Sequence, residues 1–300
     1  MGEHTMTLAD SKPAKGPLVW LDMDQAALDA AYDQTVWAPN QALIAERRSM
    51  AAKEAKARLK PSRHAYGETQ IEAFDFYAAG RAAPIVVFIH GGAWRGGMAE
   101  NFAHLADTFL SAGAHAAILD FNNVDEAGGR LETMAEQVRR AVAFIAKNAR
   151  ELGGDGRIFV CGHSSGSHLS SCVLTTDWAE YGLPQDFITG AILISGMYEL
   201  EPVRRSKRST YVRFTDDTVE KLSAMRRLDR IRCPLIVTHG TCESPEFQRQ
   251  ARDFRDALTK AGKPVNYFAV TAANHFEMVE QLHNPFGFVG RAATEMIRGP

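Results

Sequence analysis

The segment from Arg157 to Gly166 constrains the fold of this chain more than any other stretch. An apolar, β-type run over 157–161 leads directly into Gly162-His163-Ser164-Ser165-Gly166, and a helix-compatible segment follows over 167–176. A strand that enters a helix through one sharp turn holds the central residue on a strained backbone with its side chain exposed. Side chains two positions away would collide with the strand and the helix, which explains the two glycines. The pattern predicts Ser164 as a nucleophile; an unrelated Ser/Gly-rich turn is the alternative.

Short apolar runs alternate with helix-compatible segments along most of the chain. Pro84 to Ile89 is a continuous apolar run, which is typical of a strand buried on both faces of a parallel sheet. The predicted strands comprise residues 64–78, 84–89, 114–121, 157–161, 191–195, 234–238 and 265–270. The predicted helices comprise residues 24–59 with a break at 37–40, then 99–112, 131–151, 167–176, 245–261 and 276–282. This alternation predicts an α/β fold with one mostly parallel sheet covered by helices.

The expected division of the chain follows from where that alternation begins and where it is interrupted. We expect a flexible polar tail over residues 1–17, a helical arm over 18–64 and a single α/β domain over 65–300. Residues 197–231 interrupt the alternation and predict a small cap inserted into the domain. A length of 300 residues is compatible with one α/β domain of this kind.

Composition and charge argue against several classes of partner. The chain has 23% charged and 45% apolar residues and a net charge of −2, as ordinary globular domains do. No net positive field favours a nucleic-acid partner, and no apolar run is long enough to predict a membrane span. We therefore expect a small-molecule substrate as the partner, without nucleic acid or membrane, and leave a homodimer open.

The cysteines and the start of the sequence favour a cytoplasmic protein. Four cysteines show no CxxC spacing, which predicts reduced thiols rather than a disulfide framework. Residues 1–16 are polar and lack the apolar segment of a secretory signal. Ten histidines occur without HxH or HExxH spacing, so the sequence predicts no metal site, and no cofactor is expected.

A glycine-rich loop follows the predicted strand that ends at Ile89. It reads His90-Gly91-Gly92-Ala93-Trp94, and glycines directly after a central strand let the backbone approach a ligand closely. Backbone N–H groups of such a loop stabilise the negative oxygen that forms during acyl transfer. The predicted oxyanion hole comprises the amides of Gly91, Gly92, Ala93 and Ser165, without a choice among the loop amides. A plain strand-to-helix turn is the alternative.

A serine hydroxyl needs a base to act as a nucleophile near neutral pH, and the base needs a carboxylate to orient it. In this strand–turn–helix context the order along the chain is serine, acid, histidine. The acid then follows the strand at 234–238 and the histidine follows the strand at 265–270, which selects Glu243 and His275. The alternatives that stay open are Glu199 and Glu246 for the acid and His239 for the base.

Aromatic and basic side chains near these loops are candidates for contact with a substrate. Aromatic rings at the carboxyl ends of strands can line a pocket for a flat molecule, although most aromatic residues pack in a core. The candidates for substrate binding are Trp94, His163, Tyr198 and Phe276. The basic run from Arg204 to Arg213 is more often a solvated face, but one arginine folded over the pocket could hold a substrate carboxylate.

Together these motifs resemble those of the α/β-hydrolase fold family and, within it, the serine-dependent kynurenine formamidase (arylformamidase) and carboxylesterase branch. The resemblance extends from about residue 65 onward and rests on five segments: His90–Trp94, Gly162–Leu169, Ile194–Pro202, Glu243–Phe247 and His275–Glu280. They match the family's HGGxW loop, GHSxG turn and HFxxxE segment. The family usually has Asp where this chain has the longer Glu243, so the acid is where the chain departs from the pattern.

This resemblance implies an enzyme: a serine hydrolase with a Ser-His-Glu triad that cleaves a small amide or ester through an acyl-enzyme. The implied substrate is an aryl formamide such as N-formylkynurenine, which is aromatic and carries a carboxylate. A general short-acyl carboxylesterase is the alternative enzyme. A ligand-binding protein that keeps the fold without catalysis is the alternative from another class.

Overall fold

A computed structural model of the protein describes residues 16–80 and 82–299, so the predicted tail at 1–17 lies outside the described residues apart from Gly16 and Pro17. The strands in the described chain are β1 (Leu18–Trp20), β2 (Met23–Asp24), β3 (Ser62–Ala65), β4 (Ala73–Tyr77), β5 (Ala83–Ile89), β6 (His115–Leu119), β7 (Gly154–His163), β8 (Ile188–Ile194), β9 (Leu235–Gly240) and β10 (Val265–Val270). Its α-helices are α1 (Gln25–Ala31), α2 (Gln41–Leu59), α3 (Leu105–Ser111), α4 (Leu131–Lys147), α5 (Ser165–Leu174), α6 (Glu201–Arg205), α7 (Asp216–Leu222), α8 (Pro245–Lys260), α9 (Glu277–His283) and α10 (Phe288–Arg298). None of these helices combines the length and the apolar composition needed to cross a membrane.

Eight of the strands form one sheet with the order β3-β4-β6-β5-β7-β8-β9-β10, and β1 and β2 form a separate hairpin. The six strands from β5 to β10 are parallel to one another, whereas β4 pairs antiparallel with both β3 and β6. The predicted α/β class with a mostly parallel sheet is therefore confirmed. Parallel strands have their carboxyl ends at the same edge of a sheet. The loops that follow β5, β7, β8, β9 and β10 therefore converge at that edge.

Strand β5 shows why the central runs are continuously apolar. Successive side chains of a strand point to opposite faces. Accordingly, Ile85, Val87 and Ile89 join the core on one face, which α4 and α5 cover. The intervening Val86 and Phe88 join the core on the other face, beside α3, α9 and α10. Both faces are covered, so every position of the strand has to be apolar.

Most predicted elements agree with the observed ones within a few residues at each end, but two predictions were wrong and two features were not predicted. The strand predicted over 64–78 is two strands, β3 and β4, joined by a turn that the Tyr66 amide closes with a 2.8 Å hydrogen bond to the carbonyl oxygen of Glu72. The alternation that supported the prediction covers only residues 71–77, whereas residues 68–70 of the turn are polar. The helix predicted over 99–112 begins as a 3₁₀ turn (Ala99–Phe102) before α3. The β1–β2 hairpin and α10 were not predicted.

The helical arm packs against the sheet domain through buried and exposed polar contacts. The hydroxyl of buried Tyr32 donates to Oε2 of Glu246 over 2.8 Å, and the side-chain amide of Gln34 donates to Oγ of Ser244 over 3.0 Å. Three exposed ion pairs also hold α2 against the sheet domain, namely Arg47–Glu280, Lys56–Glu100 and Arg58–Asp107. Such exposed pairs contribute about 0–1 kcal/mol each, so the buried contacts contribute more to the docking of the arm.

Residues 197–231, the predicted insertion, are mainly helical. They contain α6, α7 and three 3₁₀ turns between β8 and β9. Tyr198 and Leu200 at the start of this segment are fully buried, and so is Ser223 near its end. The segment is therefore anchored in the core at both ends.

Four buried histidines predict a steep loss of stability in mild acid. Burial lowers the pKa of His104 to about 3 and that of His168 to about 4, it lowers the pKa of His163 well below the ordinary value, and it also lowers the pKa of His90. An unfolded histidine titrates near pH 6.5, so below that pH the unfolded chain binds more protons than the folded one. We expect the free energy of unfolding to fall by up to about 5 kcal/mol per pH unit between pH 6.5 and 5, from at most about 1.4 for each histidine. Urea unfolding at pH 7.5, 6.5, 6.0 and 5.5 measures this slope.

The variant His104→Leu provides the control for that experiment. Neither ring nitrogen of His104 has a hydrogen-bond partner among the described residues, so the substitution removes a titrating group without breaking a hydrogen bond. We expect the slope to decrease by roughly a quarter, the share of one group among four. An unchanged slope in this variant, or a flat profile in the wild type, would contradict the interpretation.

Candidate active site

The turn between β7 and α5 holds Ser164 in a strained conformation. Its backbone has φ 58° and ψ −125°, outside the regions that L-residues ordinarily occupy. A Cβ at Gly162 would overlap Oγ of Ser170, and one at Gly166 would overlap the carbonyl oxygens of Ile89 and His90. These two positions therefore require glycine, as the sequence pattern predicted.

Ser164, His275 and Glu243 form a continuous series of hydrogen bonds. Oγ of Ser164 lies 2.8 Å from Nε2 of His275, and Nδ1 of His275 lies 2.7 Å from Oε2 of Glu243. All three side chains are buried, with Glu243 only 1% exposed. The three residues come from the loops after β7, β9 and β10, whose convergence at one sheet edge brings them together. This arrangement can deprotonate a hydroxyl and orient the imidazole that does so.

The carboxylate of Glu243 is fixed by a second set of contacts that sequence reasoning missed. Its Oε1 accepts hydrogen bonds from the amide of Gly240 over 2.7 Å and from the hydroxyl of Ser195 over 2.6 Å. Ser195 follows β8 and has φ 53°, a left-handed conformation that is uncommon outside glycine. The signal available in the sequence was its place at the end of a strand next to β9. Because both donors bind Oε1, the other oxygen, Oε2, is left for His275. The same two donors fix the position of the carboxylate on the longer side chain of Glu243.

Backbone amides of the glycine-rich loop lie beside Ser164. A Cβ on Gly91 would come within 2.9 Å of Cβ of Ser164 and 2.7 Å of the carbonyl oxygen of His163, so only glycine permits this approach. Gly92 has φ 131°, and its carbonyl oxygen accepts from the amides of Arg95 and Gly96. This tight turn directs the preceding amides away from protein acceptors.

All four of the predicted oxyanion donors have no hydrogen-bond acceptor within the described part of the chain. These are the amides of Gly91, Gly92, Ala93 and Ser165. The next amide, that of Trp94, donates to Oγ of Ser165 over 3.2 Å and links the loop to the start of α5. Ala93 and Trp94 have φ 55° and 63°, so the loop holds strained residues in succession. Free amides beside a nucleophile can stabilise a developing oxyanion.

The alternative acids and base have other partners. Glu199 pairs with Arg226 at 2.9 Å, and Glu246 pairs with Arg249 at 2.6 Å. His239 lies 2.8 Å from the hydroxyl of Tyr267. None of the three lies within hydrogen-bonding distance of Ser164 or His275 in the described structure.

Two of the four predicted substrate contacts line the cavity beside Ser164, and two do not. His163 and Phe276 are on the cavity wall. Trp94 is 2% exposed, and its indole N–H donates to Nδ1 of His168 over 3.3 Å. Tyr198 is fully buried and stacks on Phe254 with ring centroids 4.1 Å apart. The structure therefore corrects the prediction for Trp94 and Tyr198, which pack in the core instead of facing a ligand.

The cavity in front of Ser164 has a volume of about 590 Å³. Its wall combines the glycine-rich loop and Ser164 with residues of the arm, namely Tyr32 to Thr35 and, on α2, Gln41, Ala45, Arg48 and Ser49. The insertion contributes Lys207, Arg208 and Tyr211. Sequence reasoning did not place the arm in the site in detail, because a helix with a weak apolar stripe does not indicate which face covers a cavity. The size is typical of a pocket for a small organic molecule.

The wall of the cavity carries more positively than negatively charged side chains. His163 is uncharged at neutral pH, because burial first and then the charges of His275 and Arg48 lower its pKa. Nε2 of His163 lies 2.9 Å from the carbonyl oxygen of His275 and holds the loop that carries the base. Four cationic side chains line the wall, Arg48, Arg95, Lys207 and Arg208, beside the carboxylate of Asp33. An anionic ligand is therefore favoured over a cationic one.

No cluster of three or more histidine, cysteine, aspartate or glutamate side chains with metal-binding geometry occurs in residues 16–80 and 82–299. Cys161, Cys172 and Cys233 are buried free thiols, and Cys242 is an exposed one. Cys242 lies next to Glu243 in sequence but does not line the cavity.

The relatives found by comparison with known proteins are named as amide or ester hydrolases. A family model described as BD-FAE matches residues 75–185. The kynurenine formamidase of Danio rerio is 28% identical over 278 residues, which cover 88% of this chain and 93% of that protein. An isoprenylcysteine alpha-carbonyl methylesterase of Arabidopsis thaliana is 24% identical and covers 72% of this chain and 56% of its own length.

Solved structures show the same architecture. A protein from Silicibacter sp. TM1040, described as a candidate thioesterase, has a TM-score of 0.79 and 25% identity, covering 91% of this chain and 99% of its own. The esterase LipW of Mycobacterium marinum has a TM-score of 0.67 at 16% identity, covering 89% of each chain, which supports the fold alone. These similarities support the α/β-hydrolase fold for this chain.

Proposed function

We propose that this chain, an α/β-hydrolase of the kynurenine formamidase-like and carboxylesterase branch, is a serine hydrolase that cleaves its amide or ester substrate through an acyl-enzyme on Ser164. That its relatives are amide and ester hydrolases supports the reaction class. The observation that carries the assignment of residues is the hydrogen-bonded series from Ser164 through His275 to Glu243, at 2.8 and 2.7 Å.

In the first half of the proposed reaction, Oγ of Ser164 attacks the carbonyl carbon while Nε2 of His275 takes the hydroxyl proton. Glu243 accepts from Nδ1–H of His275, which keeps the tautomer with Nε2 available as base, and it stabilises the imidazolium that forms. The leaving amine or alcohol takes the proton from Nε2 as its bond to carbon breaks. Water then attacks the acyl-serine, with His275 again the base, and the carboxylic acid leaves.

The oxyanion of each tetrahedral intermediate is bound by the amides of Gly92, Ala93 and Ser165 in this proposal. These three amides, like that of Gly91, have no acceptor in the described structure. Each such donor contributes about 3 to 4 kcal/mol of transition-state stabilisation in comparable sites. Gly91 acts through its missing side chain, which leaves room beside Cβ of Ser164.

The proposed substrate is an aryl formamide such as N-formylkynurenine. The extended similarity to a kynurenine formamidase supports it, since 88% of this chain is covered. The rings of Phe102, Tyr211 and Phe276 on the cavity wall offer apolar contact to a flat molecule. A short-acyl carboxylesterase is the second candidate, favoured by the similarity to a methylesterase.

A substrate panel tests the proposal. We expect the wild type to hydrolyse N-formylkynurenine with a kcat/KM at least tenfold above that for p-nitrophenyl acetate, because a formamidase site discriminates by contacts to the leaving group. A preference for p-nitrophenyl acetate and longer acyl esters would select the carboxylesterase. The release of formate, measured alongside the loss of substrate, shows which bond is cleaved.

Covalent labelling separates both enzymes from a binding protein that has the fold without the chemistry. A fluorophosphonate probe is expected to add one phosphonyl group to Ser164, found by mass spectrometry of the labelled peptide, since the probe reports an activated serine. The variant His275→Ala is the control and should label far more slowly. A wild-type chain that neither labels nor turns over any member of the panel would refute the proposal.

A further inference from the structure

Arg48 is a half-buried arginine of α2 that forms no ion pair in the described chain, although the carboxylate of Glu280, which Arg47 binds, acts on it from a distance. Its Nε is buried and has no hydrogen-bond acceptor, and no ion pair of the guanidinium is present in the described chain. Its main contact is with the ring of Phe102, whose centroid lies 5.2 Å from the guanidinium carbon. A buried charge without a partner is costly, so it persists where something else offsets the cost.

The position of Arg48 relates it to the nucleophile. It lines the same cavity as Ser164, and its charge contributes to lowering the pKa of His163, the residue before Ser164. The neighbouring Arg47 differs, because its guanidinium forms a two-point hydrogen bond with the carboxylate of Glu280 at 2.9 and 2.8 Å and does not line this cavity. Arg47 is therefore neutralised by an ion pair, whereas the adjacent Arg48 forms none.

A second unpaired cation lines the cavity. Arg208 is 5% exposed, donates to the hydroxyl of Tyr211 and to the carbonyl oxygen of Tyr32, and leaves Nε buried without a partner. The other two cations on the wall are neutralised, Lys207 by Asp33 and Arg95 by Asp125. The cavity thus holds an excess of positive charge on two arginines with free N–H groups.

We infer that Arg48, with Arg208 as a second cation of the same cavity, is the subsite that binds a carboxylate on the leaving group of the substrate. This inference rests on the proposed function, because a formyl group is too small to carry the carboxylate and the leaving amine has to do so. A guanidinium presents N–H groups in a fork that matches a carboxylate, and the ring of Phe102 beside it suits an aromatic leaving group. Arg48 is thus a specificity-determining residue.

The test compares two esters that differ in one charge. 3-Carboxyphenyl acetate carries a carboxylate on its leaving group, and 3-carbamoylphenyl acetate carries a neutral amide of the same shape. We expect Arg48→Met to lower kcat/KM for the carboxylate ester by about 10- to 100-fold, mainly through KM, as the loss of a hydrogen-bonded charge predicts. For the carbamoyl ester the change should stay within about twofold. Arg48→Lys should restore part of the preference, since a point charge lacks the fork.

Arg47→Met is the matched control and should change neither rate by more than about twofold, because an exposed pair contributes little. Equal losses on both esters in Arg48→Met, the same loss in Arg47→Met, or no wild-type preference for the carboxylate ester would overturn the inference.

A binding experiment keeps the inference separable from the proposed function. Titration calorimetry of wild-type protein with benzoate and with benzamide needs no turnover and no substitution. We expect benzoate to bind at least tenfold more tightly than benzamide, and Arg48→Met to abolish the difference, as the loss of a charge-assisted pair predicts. Equal binding of the two ligands would overturn the subsite even if Ser164 proved catalytic. Conversely, benzoate-selective binding in a chain that hydrolyses no ester would retain the subsite and reject the proposed reaction.

Discussion

The variant Ser164→Ala is expected to lose ester and amide hydrolysis by about 10⁶-fold in kcat, the scale observed when a catalytic serine is removed. The physical reason is that Oγ of Ser164 is the atom 2.8 Å from the imidazole nitrogen that would deprotonate it. Serine and alanine both carry a Cβ, so the strain at φ 58° is the same and the fold should persist. Progress curves with N-formylkynurenine and p-nitrophenyl acetate, together with a melting temperature, measure both effects.

Ser171→Ala provides the matched control. Ser171 is fully buried in the same helix α5, and its hydroxyl donates to the carbonyl oxygen of His168 over 2.7 Å. We expect its loss to cost about 1 kcal/mol of stability and to leave kcat within about twofold. A Ser164→Ala protein with activity within tenfold of the wild type would require another nucleophile and would reject the proposed mechanism.

The second large effect is expected for Glu243→Gln, about a 10⁴-fold loss of kcat. Oε1 of Glu243 accepts from both the Gly240 amide and the Ser195 hydroxyl, so the amide oxygen of glutamine has to occupy that place. The NH₂ group then faces Nδ1 of His275 and donates to it. A histidine that accepts at Nδ1 carries its proton on Nε2 and cannot take the proton of Ser164. The kcat of the purified variant measures this change.

Two further variants complete that experiment. Glu199→Gln changes the other candidate acid, which pairs with Arg226, and we expect its kcat to match the wild type. Glu243→Asp keeps the charge but withdraws the carboxylate by about 1.5 Å, the length of one carbon–carbon bond. Because the Gly240 amide and the Ser195 hydroxyl that bind Oε1 are fixed in position, the shorter acid should give an intermediate rate. Full activity in Glu243→Gln would show that the imidazole is oriented by another group.

The parts of the site that the sequence predicted are those in which chemistry and backbone geometry require the same residues. Gly162 and Gly166 are required by contacts that any Cβ would violate. Glu243 and His275 could be predicted because the carboxyl ends of parallel strands share one edge of the sheet. A residue that follows such a strand in sequence is therefore expected at that edge. Patterns that follow from local sterics or strand order are readable in a single sequence.

The parts that the sequence did not reveal depend on the tertiary packing of distant segments. Ser195 reaches Glu243 across 48 positions of chain, and Arg48 reaches the cavity through the docking of the arm. Trp94 and Tyr198 were wrong as substrate contacts because an aromatic residue in a loop next to a strand can turn inward or outward. The inward direction was decided by partners such as His168 and Phe254, which no pattern around those residues indicates.

The arm has a consequence for how proteins with this architecture diversify. In this chain the side chains that would break the bond come from loops of the sheet, whereas Arg48 and the neighbouring cavity wall come from a helix that precedes the sheet in sequence. Under the proposed assignments, bond-breaking and the part of substrate choice that depends on Arg48 are encoded in separate stretches of the gene. Mutations in the arm would then redirect the enzyme to a new leaving group while the strained turn at Ser164 stays intact, so selection would act on these two properties independently.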